Sequence, residues 1–160
     1  MTLDDLTVNF SHLDYQTLLA DWIWLVGESK LPILLTASGD AFVQDVENGS
    51  VHVLDVAAGS LSEIASSIAE FQSLLSNKEF VLNYFAVEMV SDLFQSGQVL
   101  EAGQIFSFKK PPVLGGEYVL SNIEATDIEV HFSLAGQIHK KVQATAGHEN
   151  RQHHHQVNRD

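Results

Sequence analysis

No cysteine occurs in the chain, so neither a disulfide framework nor thiolate catalysis is open to it. Basic residues are scarce too: eight lysines and arginines stand against 21 aspartates and glutamates, a formal net charge of -13. The imbalance is uneven, since eleven acids between Met1 and Asn77 face Lys30 alone. Such a field repels phosphate backbones, which disfavours direct nucleic-acid binding and favours a basic protein partner, while the same surface also serves solubility. Apolar runs such as Leu31 to Leu35 fall far short of the roughly 20 residues that span a bilayer, so a soluble protein without membrane contact is expected. The opening MTLDDLTVNF has acids and no basic n-region; no secretory signal is expected, and the cytoplasm is the expected compartment.

Catalytic and cofactor motifs are missing as well. Neither phosphate cradle, G-x-x-x-x-G-K-[ST] or G-x-G-x-x-G, is present, and no G-x-S-x-G elbow raises a serine nucleophile. Spacing along the chain does not test whether two of the carboxylates flank a sugar. His12, His52, His131 and His139 are scattered, and His153, His154 and His155 fall near the end, so no metal and no cofactor are expected. His52 and His131 read as outward positions on strands.

Local patterns are plentiful. From Leu13 to Val26 the residues Tyr15, Leu18, Leu19, Trp22, Ile23 and Val26 recur at helical spacing, and Gly27 stops the helix. LPILLT, AFVQDV and VHVLDV read as a three-stranded antiparallel meander, with Asn48-Gly49 as the tight reversal between the last two. Ser60-Leu61-Ser62-Glu63 has capping-box form and predicts a helix through Leu75; Ser76-Asn77 then caps a second helix that ends at Gly97. Strands are predicted at IFSF (105–108), EYVL (117–120) and DIEVHFSL, where Ile128, Val130, Phe132 and Leu134 alternate with polar residues. AGQIHKKVQ is compatible with a short helix. The expected fold is a single α+β domain over residues 1–143, mostly antiparallel sheet with three or four helices packed on it, followed by a disordered, polar, His-rich tail over 144–160.

Two places stand out as candidate sites. The stretch KKPPVLGGEY gathers Lys109, Lys110, Pro111, Pro112, Gly115, Gly116, Glu117 and Tyr118. Its prolines end the preceding strand and its glycines permit a reversal closed to other residues, so it reads as a shaped turn, with the lysine pair left able to meet an anion. The acids Asp40, Asp45, Glu47 and Asp55 form the candidate partner-binding surface. Trp24 joins them as a candidate anchor, because two residues along a helix turn the side chain by about 200° and Trp22 belongs to the buried set.

The order of three segments, YQTLLADWIWLVG, PILLTASGDAFVQDVENGSVHVLDVAAGSL and EAGQIFSFKKPPVLGGEYVLSNIEATDIEVHFSLAGQIHKKV, resembles one family over about Tyr15 to Val142. It is a bacterial domain-of-unknown-function family that also forms the C-terminal part of type VI secretion DNase-immunity proteins, where a GAD-like domain commonly precedes it. About ten residues precede the first helix here, so no GAD-like domain is expected. The resemblance implies a noncatalytic, cytosolic, protein-binding module that neutralises a basic nuclease toxin by occluding its active surface. A ligand-binding or enzymatic role with a pocket near residues 109–118, or an orphan module of a toxin locus, stays open beside it.

Overall fold

Short runs of β-branched and aliphatic residues separated by Gly-containing turns favour antiparallel pairing, and that is how the first half of the chain is built. The computed structural model of the protein describes the backbone of residues 1–157 and the side-chain surroundings of residues 1–146. Strand β1 (Thr7–Val8) is followed by two short helices, α1 (Tyr15–Leu18) and α2 (Ile23–Val26), and then by β2 (Lys30–Thr36), β3 (Ala41–Asp45), β4 (Val51–Asp55) and β5 (Ser60–Ala65). The five strands pair in chain order as one antiparallel sheet. β3 and β4 pair as a hairpin as expected, but the reversal is a four-residue turn over 46–49 rather than a tight Asn48-Gly49 pair: Gln44 pairs with Val51, the Asp45 N–H donates to the Ser50 carbonyl at 2.8 Å, and of the dipeptide Gly49 alone takes a positive φ (+80°).

The single helix expected over 13–26 is broken. Leu19 (φ -107°, ψ 19°) and Trp22 (φ -110°, ψ 2°) leave the helical region around a 3-10 turn at Ala20–Trp22. The break drives Trp22 wholly into the interior, where its Nε1–H donates to the Phe132 carbonyl at 2.8 Å. It also cancels the opposed orientation expected of Trp24, which is half-buried and stacks on Trp22 at 5.8 Å and 21°.

Residues 60–63 do not begin a helix. They belong to β5, where Leu61 pairs with Leu54 and Ser62 with Val53 along the otherwise open edge of β4. The N-cap that operates lies seven residues on: Ser67 Oγ accepts from the Glu70 N–H at 3.1 Å and starts α3 (Ile68–Leu75), while the Glu70 carboxylate accepts from Ser66 Oγ at 2.7 Å. Asn77 caps α4 (Lys78–Tyr84) as expected, accepting from the Phe80 N–H at 3.1 Å. The long second helix is interrupted at Ala86, whose left-handed backbone (φ 48°, ψ 48°) separates α4 from α5 (Val87–Gln95).

β6 (Gln104–Phe108) pairs antiparallel with β7 (Ile123–Asp127) as a separate two-stranded sheet. EYVL is not the returning strand. Asn122 delays it: its side chain accepts from the Lys110 N–H (3.0 Å) and donates to the carbonyls of Lys110 and Glu117 (both 2.9 Å), closing 110–122 as a loop.

DIEVHFSL, expected as a strand, opens α6 (Ile128–Val157). Asp127 Oδ1 accepts from the N–H groups of Glu129 and Val130 (3.0 and 3.3 Å), an N-cap that starts a helix. Ile128, Phe132, Gly136 and His139 are buried at four- and three-residue intervals, whereas Val130 and Leu134 are 46% and 55% exposed. Eight residues satisfied both periods; the cap and the continuation to His139 favour the helix. The tail expected from residue 144 lies largely outside the residues whose surroundings are described.

Both faces of the large sheet are covered. On β3, Phe42 points to a cluster with Phe71, Phe80, Phe85 and Leu93 of α3–α5, while Ala41 and Val43 point to Trp22, Ile128 and Phe132 on the α6 side. Phe42 touches four aromatic rings, with centroids 4.9 to 6.4 Å away. Each such buried side chain contributes about 1.5–3 kcal/mol of transfer free energy. Gly136 lets α6 approach the Ala20–Trp22 turn: a Cβ there would lie 2.5 Å from the Asp21 carbonyl oxygen.

Candidate functional site

Where the two sheets meet, the turn after β2, the end of β4, the α4–α5 junction, β6 with its following loop, and α6 enclose a cavity of about 490 Å³. One wall is acidic. Asp40 ends the β2–β3 turn and Asp55 ends β4, and the pairing of Ala41 with Leu54 brings the two together. Asp40 Oδ1 accepts from the Val56 N–H at 3.0 Å. Burial, then the Asp55 charge, push the Asp40 carboxyl up to about 7, against the lowering effect of the Val56 bond.

The opposite wall is aromatic and basic. Phe108 and Tyr118 meet edge to face at 5.1 Å, and Pro111, Pro112 and Lys109 line the same side. KKPPVLGGEY is thus both a shaped turn and part of the cavity wall. Its loop uses a 3-10 turn at Pro112–Leu114, a left-handed Gly115 (φ 94°), and a Gly116 whose Cβ direction is filled by the Lys110 carbonyl. Glu117 is exposed, and its carbonyl is held by Asn122.

α6 supplies the third wall. His131 is buried, with Nε2 2.7 Å from the Gly39 carbonyl and Nδ1 2.8 Å from Ser107 Oγ. Because a carbonyl only accepts, Nε2 carries the proton and Nδ1 accepts from the serine. Burial lowers the His131 pKa, opposed by the Gly39 bond, so the neutral imidazole is favoured. His139, also buried, donates from Nε2 to the Val56 carbonyl at 2.8 Å and lies 5.6 Å from the Trp22 ring. His131 therefore does not face outward from a strand. Both histidines line the cavity, and their spacing of eight residues, near one helix face, was the signal available once the segment was read as helical.

The remaining candidate residues are elsewhere. Asp45 and Glu47 lie at the far end of the β3–β4 hairpin from Asp40 and Asp55. Asp45 is buried and engaged: Oδ1 accepts from the Glu47 and Asn48 N–H groups (2.8 and 3.4 Å), and Oδ2 is 3.8 Å from Lys30 Nζ. Those bonds, the Glu47 N–H foremost, hold its carboxyl below the usual range. Glu47 is exposed. Trp24 donates Nε1–H to the Asp21 carbonyl at 2.9 Å, away from the cavity. Among the described residues no group of three or more His, Asp or Glu is placed to hold a metal, and no helix is long and apolar enough to cross a membrane.

Residues 65–139 match the family described as "T6SS immunity protein Tdi1, C-terminal", which bears out over that stretch the resemblance read from the motifs. The matched stretch contains α3–α5, β6, β7, the 109–122 loop and the cavity-lining part of α6; Asp40 and Asp55 come from outside it. A crystal structure of Atu4351 from Agrobacterium tumefaciens has a similar fold, with a TM-score of 0.55 and 18% identity over 77% of this chain. The similarity spans 62% of that chain's length. No curated protein matches.

Proposed function

We propose that this chain, whose residues 65–139 match the C-terminal family of a type VI secretion immunity protein, is a noncatalytic cytosolic module that binds a cognate toxin. The family match is the observation that carries this reading. Charge supports its direction: a nuclease presents a basic surface to DNA, and a chain at -13 is steered towards such a surface and covers it. The exposed acid Glu47, the cavity acids Asp40 and Asp55, and the loop at 109–118 are the surfaces offered to the partner; Asp45 acts through the turn it holds.

The test is to express the product of the gene neighbouring this chain's own with and without this chain. Survival of the co-expressing cells and a complex on a sizing column are the expected results. Equal killing in both cultures, with no complex, rules the pairing out. The cavity beside the 109–118 loop favours a second reading as a small-ligand site, in which a bound metabolite rather than a protein accompanies the purified chain.

A further inference from the structure

The acids of the cavity lack cationic partners. Asp40 has one carboxylate oxygen on the Val56 N–H, and the other meets no donor among the described residues. Asp55 Oδ1 accepts from the Ala58 N–H at 3.1 Å, which again leaves one oxygen. The Lys30–Asp45 ion pair and the His52–Glu63 contact found among the described residues are both outside the cavity. Lys109 is the lysine on the wall; Glu124 lies on the same wall and offsets it. An anion would meet three carboxylates there. A metal would find His131 with both ring nitrogens occupied and His139 donating to Val56.

An organic cation fits better. Tyr118 is 70% exposed and stands edge-on to Phe108, and the half-open Leu134 lines the same cavity, a surface for an alkyl stem and a cation. Ala86, at the α4–α5 junction, holds a left-handed backbone at the same cavity, a conformation strained for a non-glycine residue that clusters at functional sites.

We infer that this cavity receives one arginine or lysine side chain of the partner protein, the stem against Tyr118 and Leu134 and the cationic head between Asp40 and Asp55. The assignment rests on the protein-binding reading above. The carboxyl of Asp40, at about 7, ionises fully when a cation arrives, so binding releases a proton and strengthens as pH rises from 6 to 8. The other groups facing that space are Asp55, Glu124, Lys109, Tyr118, His131 and His139.

The experiment titrates n-butylguanidinium and n-butylammonium into the full chain, with n-butanol as the neutral control, and follows backbone amide shifts. Saturable shifts at Gly39, Asp40, Val56 and Tyr118 are expected, absent with butanol, and weakened tenfold or more in Asp40→Asn and in Asp55→Asn. Both asparagines keep the amide-accepting oxygen, and an unchanged amide spectrum elsewhere certifies each fold. The same two variants are expected to weaken the toxin complex tenfold or more. No cation-specific shifts, or equal affinity in both variants, overturns the inference while leaving any toxin complex, and so the immunity reading, intact. Cation binding with a toxin complex that ignores both substitutions overturns the partner side chain as occupant. Cation binding with no complex at all overturns the immunity reading and makes the cavity a site for a free organic cation.

Discussion

His131 Nε2 lies 2.7 Å from the carbonyl oxygen of Gly39, 92 residues earlier in the chain, and its other ring nitrogen lies 2.8 Å from Ser107 Oγ. One side chain of α6 thereby joins the turn of the large sheet to β6 of the small one. The neutral ring satisfies both bonds, and burial disfavours its charged form.

The sign of its pH dependence follows. The folded-state pKa of His131 is lowered from the ordinary 6.5, so the unfolded chain binds the extra proton and stability is lost as pH falls below about 6.5. His131→Asn is expected to cost about 1–3 kcal/mol at pH 8 and to remove this acid sensitivity. Urea midpoints of both proteins at pH 5, 6 and 8 measure it; a variant that keeps the parental slope contradicts the assignment.

Asp40 acts in the opposite direction. Its folded pKa is raised from 3.8 to about 7, so the folded chain holds the proton longer, and stability falls as pH rises between those values. Asp40→Asn is expected to raise stability at pH 8 by about 1–3 kcal/mol, a discounted share of the cost of ionising a buried carboxyl, and by little at pH 4. With Asp40 removed, its opposing contribution is lost and the acid sensitivity between pH 5 and 7 is expected to steepen, which thermal denaturation across that range displays.

Gly136→Ala sets two effects against each other. Alanine gains about 1 kcal/mol of helix propensity over glycine, but the new methyl would lie 2.5 Å from the Asp21 carbonyl oxygen, and such overpacking costs about 1–3 kcal/mol. Net destabilisation is expected, read from the urea midpoint. A stabilised variant would show that α6 does not need its close approach to the Ala20–Trp22 turn.

Trp22→Phe removes the indole N–H from the Phe132 carbonyl and leaves space in a site with no exposure. A loss of about 1–3 kcal/mol is expected. A hydrogen-exchange measurement adds a location: the loss of protection should concentrate at 132–139 on α6 rather than in α3–α5, which pack on the other face of the sheet.

For the partner, Glu47→Lys is the clean test of steering, because Glu47 is exposed whereas Asp45 holds the turn. The association rate with the toxin is expected to fall several-fold at low salt and to converge with the parent at high salt. An unchanged rate at low salt removes the charge argument for that end of the hairpin.

The features legible along the chain were those that short-range chemistry fixes. The place of the β3–β4 hairpin follows from Asn48-Gly49, the start of α4 from Asn77, the end of β6 from the approach to Pro111, and the acidic character from a count. Tertiary structure decided where local signals were degenerate. Ser60–Glu63 and Ser67–Glu70 carry the same N-cap pattern until the open edge of β4 claims the first. DIEVHFSL suits a strand or a helix until Asp127 caps it and the 128–139 stripe finds Trp22. The cavity was beyond local reading for the same reason. Asp40, Ser107, Tyr118 and His131 are far apart in the chain, and only the packing of α6 across both sheets gives them one address.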